Sequence, residues 1–255
     1  GGAVVNIEAL PQGDVLQLSL SRRKAVVSSL LGAGGQGAVY EVRVDDRPFA
    51  LKWYHRFYLE HDPGLSRRID NAIFRGSPGA RFLWPLEKAH RGGDPSFGYL
   101  MPLRSASFHN MRDLIAPPPR RLTPSLIARA NACCLIADSF LKLHAKGLCY
   151  QDINFGNIFL DPVLGDICIC DNDNVDTNGE RGGVFGTKKF MAPEIVRGEK
   201  RPDANTDLYS LAILLFYILH NWHALDGRRE AELKFLDTDS EVALYGTAPL
   251  FLFCL

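Results

Sequence analysis

Asp152 and Asn157 stand five positions apart in the run Tyr150-Gln151-Asp152-Ile153-Asn154-Phe155-Gly156-Asn157, directly ahead of the apolar strand Ile158-Phe159-Leu160. A second acidic cluster, Asp171-Asn172-Asp173, follows the strand Ile167-Cys168-Ile169-Cys170. Asp161-Pro162 and Gly165 supply turn chemistry between the two strands. The expected hairpin brings Asn157 and Asp171 to the same end of a small sheet, with Asp152 beside them. Carboxylate and carboxamide oxygens grouped this way are hard ligands that suit Mg²⁺, which takes one or two carboxylates and fills its shell with phosphate oxygens and water. Asp and Asn are also ordinary turn formers, so the rest of the chain must supply the context.

The elements upstream point to phosphate as well. Residues 25–31 read as a strand, Gly32-Ala33-Gly34-Gly35-Gln36-Gly37 as a turn, and Ala38 to Val44 as a second, alternating strand. That is an antiparallel hairpin. A dinucleotide fingerprint needs a helix after its glycines, and a Walker A loop needs Lys-Ser/Thr after Gly37; neither is present. What remains is a glycine flap whose backbone can approach phosphates unobstructed by Cβ atoms. In the next strand, Phe49 to Tyr54, Ala50 and Lys52 share one face while Phe49, Leu51 and Trp53 share the other. A lysine in so apolar a strand is costly unless it meets an anion or snorkels from an edge.

Taken in order, Gly32-x-Gly34-x-x-Gly37-x-Val39, Ala50-x-Lys52, Asp152 with Asn157, Asp171, Ala192-Pro193-Glu194 and Asp207 resemble the signature set of the protein-kinase superfamily. The resemblance implies a bilobal α+β fold, with a small β-rich N-lobe over residues 1–102 and a mostly helical C-lobe over residues 103–255. It implies ATP- and Mg²⁺-dependent transfer of the γ-phosphoryl group to Ser/Thr hydroxyls of a protein substrate. In that scheme Gly32, Gly34, Gly37, Val39 and Ala50 enclose the nucleotide, and Lys52 pairs with its α/β-phosphates. The Met101 carbonyl and Leu103 amide bond adenine, with Leu100 gating the back of the pocket. Asn157 and Asp171 hold Mg²⁺, with Asp173 adding a nearby carboxylate. Asp152 orients the substrate hydroxyl and accepts its proton, while Asp207 holds the catalytic-loop amides. Gly186-Thr187 and the Ala-Pro-Glu segment look like a peptide-docking shelf.

The departures matter as much. Tyr150-Gln151 replaces the usual His-Arg, Asn154 the usual Lys, and Asp171-Asn172-Asp173 the usual Asp-Phe-Gly. The Asp-x-Asp pattern and the Met101-Pro102 hinge are similar to a divergent bacterial branch of eukaryotic-like Ser/Thr kinases, whose members are often fused to other modules. Without Lys at position 154, Lys188 or Lys189 would have to steady the transferring group. If neither does, the runner-up is a catalytically weak, nucleotide-binding pseudokinase acting as a scaffold. A small-molecule phosphotransferase of similar fold stands third. No Glu occurs between Glu60 and Glu87, so Asp70, and after it Glu60, is the expected acidic partner of Lys52. Neutral Gln151 cannot gather a phosphate, so activity is expected to be independent of phosphorylation between Asp171 and Glu194, where Thr177 and Thr187 are the hydroxyl acceptors. An arginine elsewhere, such as Arg181 beside Gly182-Gly183, is the way that expectation would fail. Glu194 is expected to lack its usual arginine.

Composition sets the bounds. The 255 residues carry 29 Lys+Arg against 29 Asp+Glu, so bulk charge argues for neither nucleic acid nor a membrane surface. Hydrophobic content of 46% and charged content of 23% are those of an ordinary globular protein. The six cysteines form no CxxC pair, which favours reduced thiols in the cytoplasm over disulfides or zinc. No signal peptide opens the chain. The apolar run Leu211 to Leu219 spans only nine residues and reads as a buried helix, with Thr206-Asp207 starting it. Thr123-Pro124 and Gly147 bracket another helix. Along it Ile127, Cys134, Leu141 and His144 fall on one stripe, with His144 structural in the last turn. The chain ends on Leu250-Phe251-Leu252-Phe253-Cys254-Leu255, an apolar run that needs covering. A C-lobe truncated here, with residues 245–255 packed loosely or against a neighbouring molecule, is therefore expected.

Overall fold

The computed structural model describes residues 9–177, 187–227 and 237–252. They divide into two compact units. The first takes the described residues up to Ser77 together with Leu83–Arg104; the second takes Pro78–Phe82 and everything from Ser105.

In the first unit β1 (Val15–Leu18), β2 (Lys24–Ala33), β3 (Gly37–Val44), β4 (Arg47–Tyr54), β5 (Glu87–His90) and β6 (Phe97–Met101) close into a barrel of order β1-β2-β3-β4-β6-β5. Closure depends on β1, which pairs with both β2 and β5 and which the sequence reading did not include. Its four residues alternate exposed and buried, sending Leu16 and Leu18 into a core with Val27, Val42, Leu51, Trp53 and Leu100. β5 begins only at Glu87, because Pro85 has no N–H to give a ladder, and the Trp84 indole donates to the Ala72 carbonyl at 2.8 Å. The opposite face of β4 and β6 is covered by α2 (Leu65–Arg75) through Leu65 and Ile69, which pack with Tyr54, Phe97 and Tyr99. Each such aliphatic burial contributes about 1.5–3 kcal/mol. Between β4 and α2 lies α1 (Arg56–His61), and a buried bidentate pair of Arg68 with Asp62 fixes the turn between the helices.

The second unit is mostly helical. Its longest helix, α3 (Leu126–Ala145), is capped by Ser125, whose hydroxyl accepts from the Ala128 N–H, rather than by Thr123. Gly147, at φ +69°, ends it as expected. The buried face is Ala128, Ala132, Ile136, Phe140 and Leu143, while Ile127, Cys134 and Leu141 face solvent. Short strands follow: β7 (His109–Asn110) and β9 (Ile158–Leu160) with β10 (Ile167–Ile169), then β8 (Leu148–Cys149) with β11 (Asp176–Thr177). After α4 (Pro193–Val196) comes α5 (Ala204–His220), which starts before Asp207 because Asp203 and Thr206 form a reciprocal capping box.

In the described part of 245–255, Tyr245 and Gly246 are buried, Gly246 accepts from Arg197 and the Leu252 N–H donates to Ala224, while residues 247–251 are exposed. Residues 253–255 lie outside the described set. Among the described residues no helix is long and apolar enough to cross a membrane.

Candidate active site

The hairpin β9–β10 pairs Ile158 with Ile169, and the Cys170 N–H donates to the Asn157 carbonyl at 2.9 Å. Asn157 and Asp171 therefore leave the same end of this small sheet. Asp152 joins them, because Asn157 Nδ2 donates to the Asp152 carbonyl at 2.9 Å and to its carboxylate Oδ2 at 3.2 Å. The other carboxylate oxygen accepts from Thr187 Oγ1 at 3.2 Å. Asp171 holds φ +53°, a left-handed conformation uncommon outside glycine that clusters at functional sites. Asp173 is buried.

The loop carrying Asp152 hangs on Asp207. That carboxylate is 2% exposed, accepts from the Tyr150 N–H at 2.6 Å and the Gln151 N–H at 3.0 Å, and lies 3.0 Å from His144 Nε2. His144 is thus structural. Gln151 sits at φ +73°, strained for a residue with a Cβ, and is held there by the second of these bonds. Its side chain is 9% exposed and turned into a small cavity lined by Met191, Ile195, Pro202 and Ser210, where neither amide atom has a hydrogen-bond partner among the described residues. Asn154 is also committed locally: its oxygen accepts from the Gly156 N–H and its nitrogen donates to the Asp152 carbonyl.

Sequence reasoning missed one member. The fully buried Tyr150 packs edge-on against Phe140, at 5.5 Å between centroids, and donates its hydroxyl to the carbonyl of Cys170, the residue before Asp171. Burial pushes its phenol well above the usual range, with Cys170 and neighbouring carboxylates adding to the effect, so it stays a donor. An aromatic with a polar tip ahead of an acidic loop residue was the available signal.

Two expected cations are engaged elsewhere. Lys188 pairs with Glu241, and Lys189 with Asp226 at 3.0 Å. Both ammonium groups are thus paired with carboxylates of this unit. No arginine pairs with Glu194 among the described residues. Arg181, Gly182, Gly183 and Gly186 lie outside the described set.

In the first unit, Gly32 pairs with Val39 across the β2–β3 hairpin, and a Cβ at Gly32 or Gly34 would meet nothing within 4 Å. Gly37 is different: a Cβ there would lie 2.2 Å from the Trp53 carbonyl oxygen, so the close approach of β3 to β4 requires glycine. Lys52 is 5% exposed and shares its face of β4 with Ala50. The expected acidic partners are engaged elsewhere: Asp70 by Lys88 at 2.6 Å, Glu60 by Arg56 at 3.2 Å. The physical reason is one of rows. Lys52 and Lys88 both lie opposite Tyr99, one on each side of β6, and α2 delivers its acid to the β5 lysine. Lys52 instead donates to Gln36 Oε1 at 2.9 Å.

The register also moves the gate. Directly opposed residues share a sheet face, so Met101, opposite Ala50, lies on the Lys52 face, whereas Leu100, opposite Leu51, is sealed in the barrel core. Leu103, just after β6, packs partly buried against the Met101 side. Leu100 therefore does not gate a pocket on the Lys52 face.

The protein kinase domain matches residues 113–247, more than half of the chain, and the chain belongs to the protein kinase family. It is 33% identical over 84 residues to the serine/threonine-protein kinase sck2 of Schizosaccharomyces pombe, covering 31% of this chain and 13% of that protein. To serine/threonine-protein kinase Sgk1-A of Xenopus laevis it is 31% identical over 103 residues, covering 38% and 23%. These matches span less than a quarter of either relative. The structure of vaccinia related kinase 3 superposes with a TM-score of 0.65 at 17% identity, covering 94% of this chain and 76% of that one, which establishes the α+β protein kinase fold.

Proposed function

We propose that this chain transfers the γ-phosphoryl group of ATP to a Ser or Thr hydroxyl of a protein substrate, with Mg²⁺. The observation that carries the reading is the Thr187 hydroxyl donating to Asp152 at 3.2 Å, with Asn157 holding the other carboxylate oxygen. A substrate hydroxyl in the place of Thr187 would meet an oriented acceptor for its proton. Asn157 and Asp171 provide oxygen donors at one sheet end. Among the described residues no three His, Cys, Asp or Glu side chains gather to hold a metal by themselves. Two protein oxygens with phosphate and water completing the shell is the pattern that suits Mg²⁺. Bound there, the ion would supply neutralisation of charge on the transferring group. In the first unit, the open backbone at Gly32 and Gly34 and the Lys52 ammonium suit the phosphates, while Val39, Ala50, Met101 and the backbone to Leu103 suit the base. The spacing of the cysteines supports a reducing, cytoplasmic setting.

A second reading, the weakly catalytic nucleotide-binding scaffold, is favoured by the ion pairs of Lys188 and Lys189 and by the capping role of Asn154. No cation from these positions is directed at the transferring group. Incorporation of labelled γ-phosphate with Mg²⁺, beside Asp152→Asn and a thermal shift with ATP, separates the two. Incorporation lost in Asp152→Asn supports the transferase; a shift without incorporation supports the scaffold.

A further inference from the structure

We propose that Gln36 is a positioning residue for Lys52, its carboxamide holding the ammonium and so coupling the glycine flap to the lysine that the phosphates would meet. The inference rests on the nucleotide reading above and extends it to a residue the signature motif leaves unspecified.

Lys52 Nζ donates to Gln36 Oε1 at 2.9 Å, and Gln36 Nε2 donates to the Tyr58 hydroxyl at 3.3 Å. The second bond sets the orientation of the amide, since a nitrogen committed to a hydroxyl leaves the oxygen for the cation. Tyr58 stacks on Tyr54 at 6.0 Å between centroids, and the Lys52 ammonium lies 5.4 Å from the Tyr54 ring centre. Lys52, Gln36, Tyr58 and Tyr54 thus close a ring of contacts spanning the flap, β4 and α1. The Gln36 backbone is fixed too: the His55 N–H donates to its carbonyl at 3.0 Å, and the Gly34 N–H to the Gly37 carbonyl at 2.9 Å. His55 Nε2 lies 3.1 Å from the Gly34 carbonyl. With Asp70 bonded to Lys88, a loop amide takes part in orienting Lys52.

The difference is chemical. A carboxamide aims an ammonium without cancelling its charge, whereas a carboxylate in the same place would compete with incoming phosphate. The aim of the Lys52 ammonium therefore follows the flap.

The test is ADP binding with Mg²⁺ by titration calorimetry on wild type, Gln36→Met (near-isosteric, without the amide), Gln36→Ala, Gln36→Glu, Lys52→Met and the double variant Gln36→Met/Lys52→Met, with melting temperatures as a folding control. Loss of one hydrogen bond to a charged group predicts that Gln36→Met and Gln36→Ala weaken ADP by about tenfold or more beside Lys52. In the Lys52→Met background, Gln36→Met should weaken it less than about twofold, because coupled residues are non-additive. Gln36→Glu should bind ADP no better than Gln36→Ala, and KM for ATP should rise more than kcat falls. Equal losses in both backgrounds, no loss at all, or tighter binding by Gln36→Glu would overturn the proposal while leaving the nucleotide reading intact. A folded wild type that binds no ADP would overturn both.

Discussion

Asp207 offers the sharpest test of how the loop carrying Asp152 is held. Replacing it with Asn preserves volume but leaves one acceptor oxygen where there were two. That oxygen can serve either the Tyr150 or the Gln151 N–H, and the new NH₂ then faces the other amide, donor against donor. A lost charge-assisted bond costs about 1.5–3 kcal/mol and an unmet buried N–H about 1–3, so about 2.5–6 kcal/mol is expected. That is a large part of the 5–15 kcal/mol typical of a whole domain, and at about 2–4 °C per kcal/mol the melting temperature should fall by roughly 5–24 °C. The reference is Asp203→Ala, which removes a helix cap in the same helix and should cost about 1 kcal/mol. Urea unfolding of the three proteins, read by circular dichroism, gives the comparison directly. If Asp207→Asn is no more costly than Asp203→Ala, the two short amide bonds are not what holds Gln151 at its strained φ. Asp207→Ala, which strips both acceptors, should be worse than Asn; the opposite order would refute the donor-against-donor argument specifically.

Tyr150→Phe removes the bond to the Cys170 carbonyl; stability should drop by only about 0.5–1.5 kcal/mol, while phosphate transfer falls mainly in kcat, measured by steady-state kinetics. Asp171→Ala should abolish binding of Mg·ATP in calorimetry, whereas Asp173→Ala, at a buried position, should act mainly on the melting temperature. Leu100→Ala should cost about 2–5 kcal/mol in denaturant unfolding without changing base selectivity; Met101→Ala should instead admit ATP analogues with enlarged bases, scored by competition binding. Phosphatase treatment and Thr177→Ala should each leave the transfer rate within about twofold, since neutral Gln151 supplies no charge to pair with a phosphate; a large fall from either would implicate another cation.

The unevenness of what could be read from sequence has a physical pattern. Asp152, Asn157 and Asp171 were legible because one short hairpin brings them together, and turn chemistry at Asp161-Pro162 and Gly165 specifies that hairpin locally. Asp207 was legible through the family resemblance, which assigns that position a carboxylate holding loop amides; the residues alone left an ordinary first-turn acid favoured by the helix dipole as the alternative. The face of β6 was not legible: all five of its residues are buried, so no polar alternation distinguishes the core side from the Lys52 side. Leu100 and Met101 could then be told apart only by their cross-strand partners, Leu51 and Ala50. The partner of Lys52 failed for the same reason. Whether Asp70 meets Lys52 or Lys88 depends on the rotation and placement of α2 over two lysine rows flanking Tyr99, a property of packing rather than of spacing.

The residues that depart from the family pattern share a chemistry. Tyr150, Gln151 and Asn154 replace charged or titratable groups with neutral ones, and two of the three spend their polar atoms on the loop itself: Tyr150 on the Cys170 carbonyl, Asn154 on Gly156 and Asp152. Gln36 does the same for Lys52 in the flap. A loop ordered by neutral hydrogen bonds and one buried carboxylate needs no added phosphate to hold its shape. It also gives up the cation that would steady a transferring phosphoryl group. Gain in constitutive order and loss of electrostatic assistance come from the same substitutions, so the rate of phosphate transfer should be low and insensitive to activation-segment phosphorylation together. Restoring a cation by Asn154→Lys separates the two effects: a rise in kcat with no new phosphorylation dependence is expected, and a gain of such dependence would break the link between them.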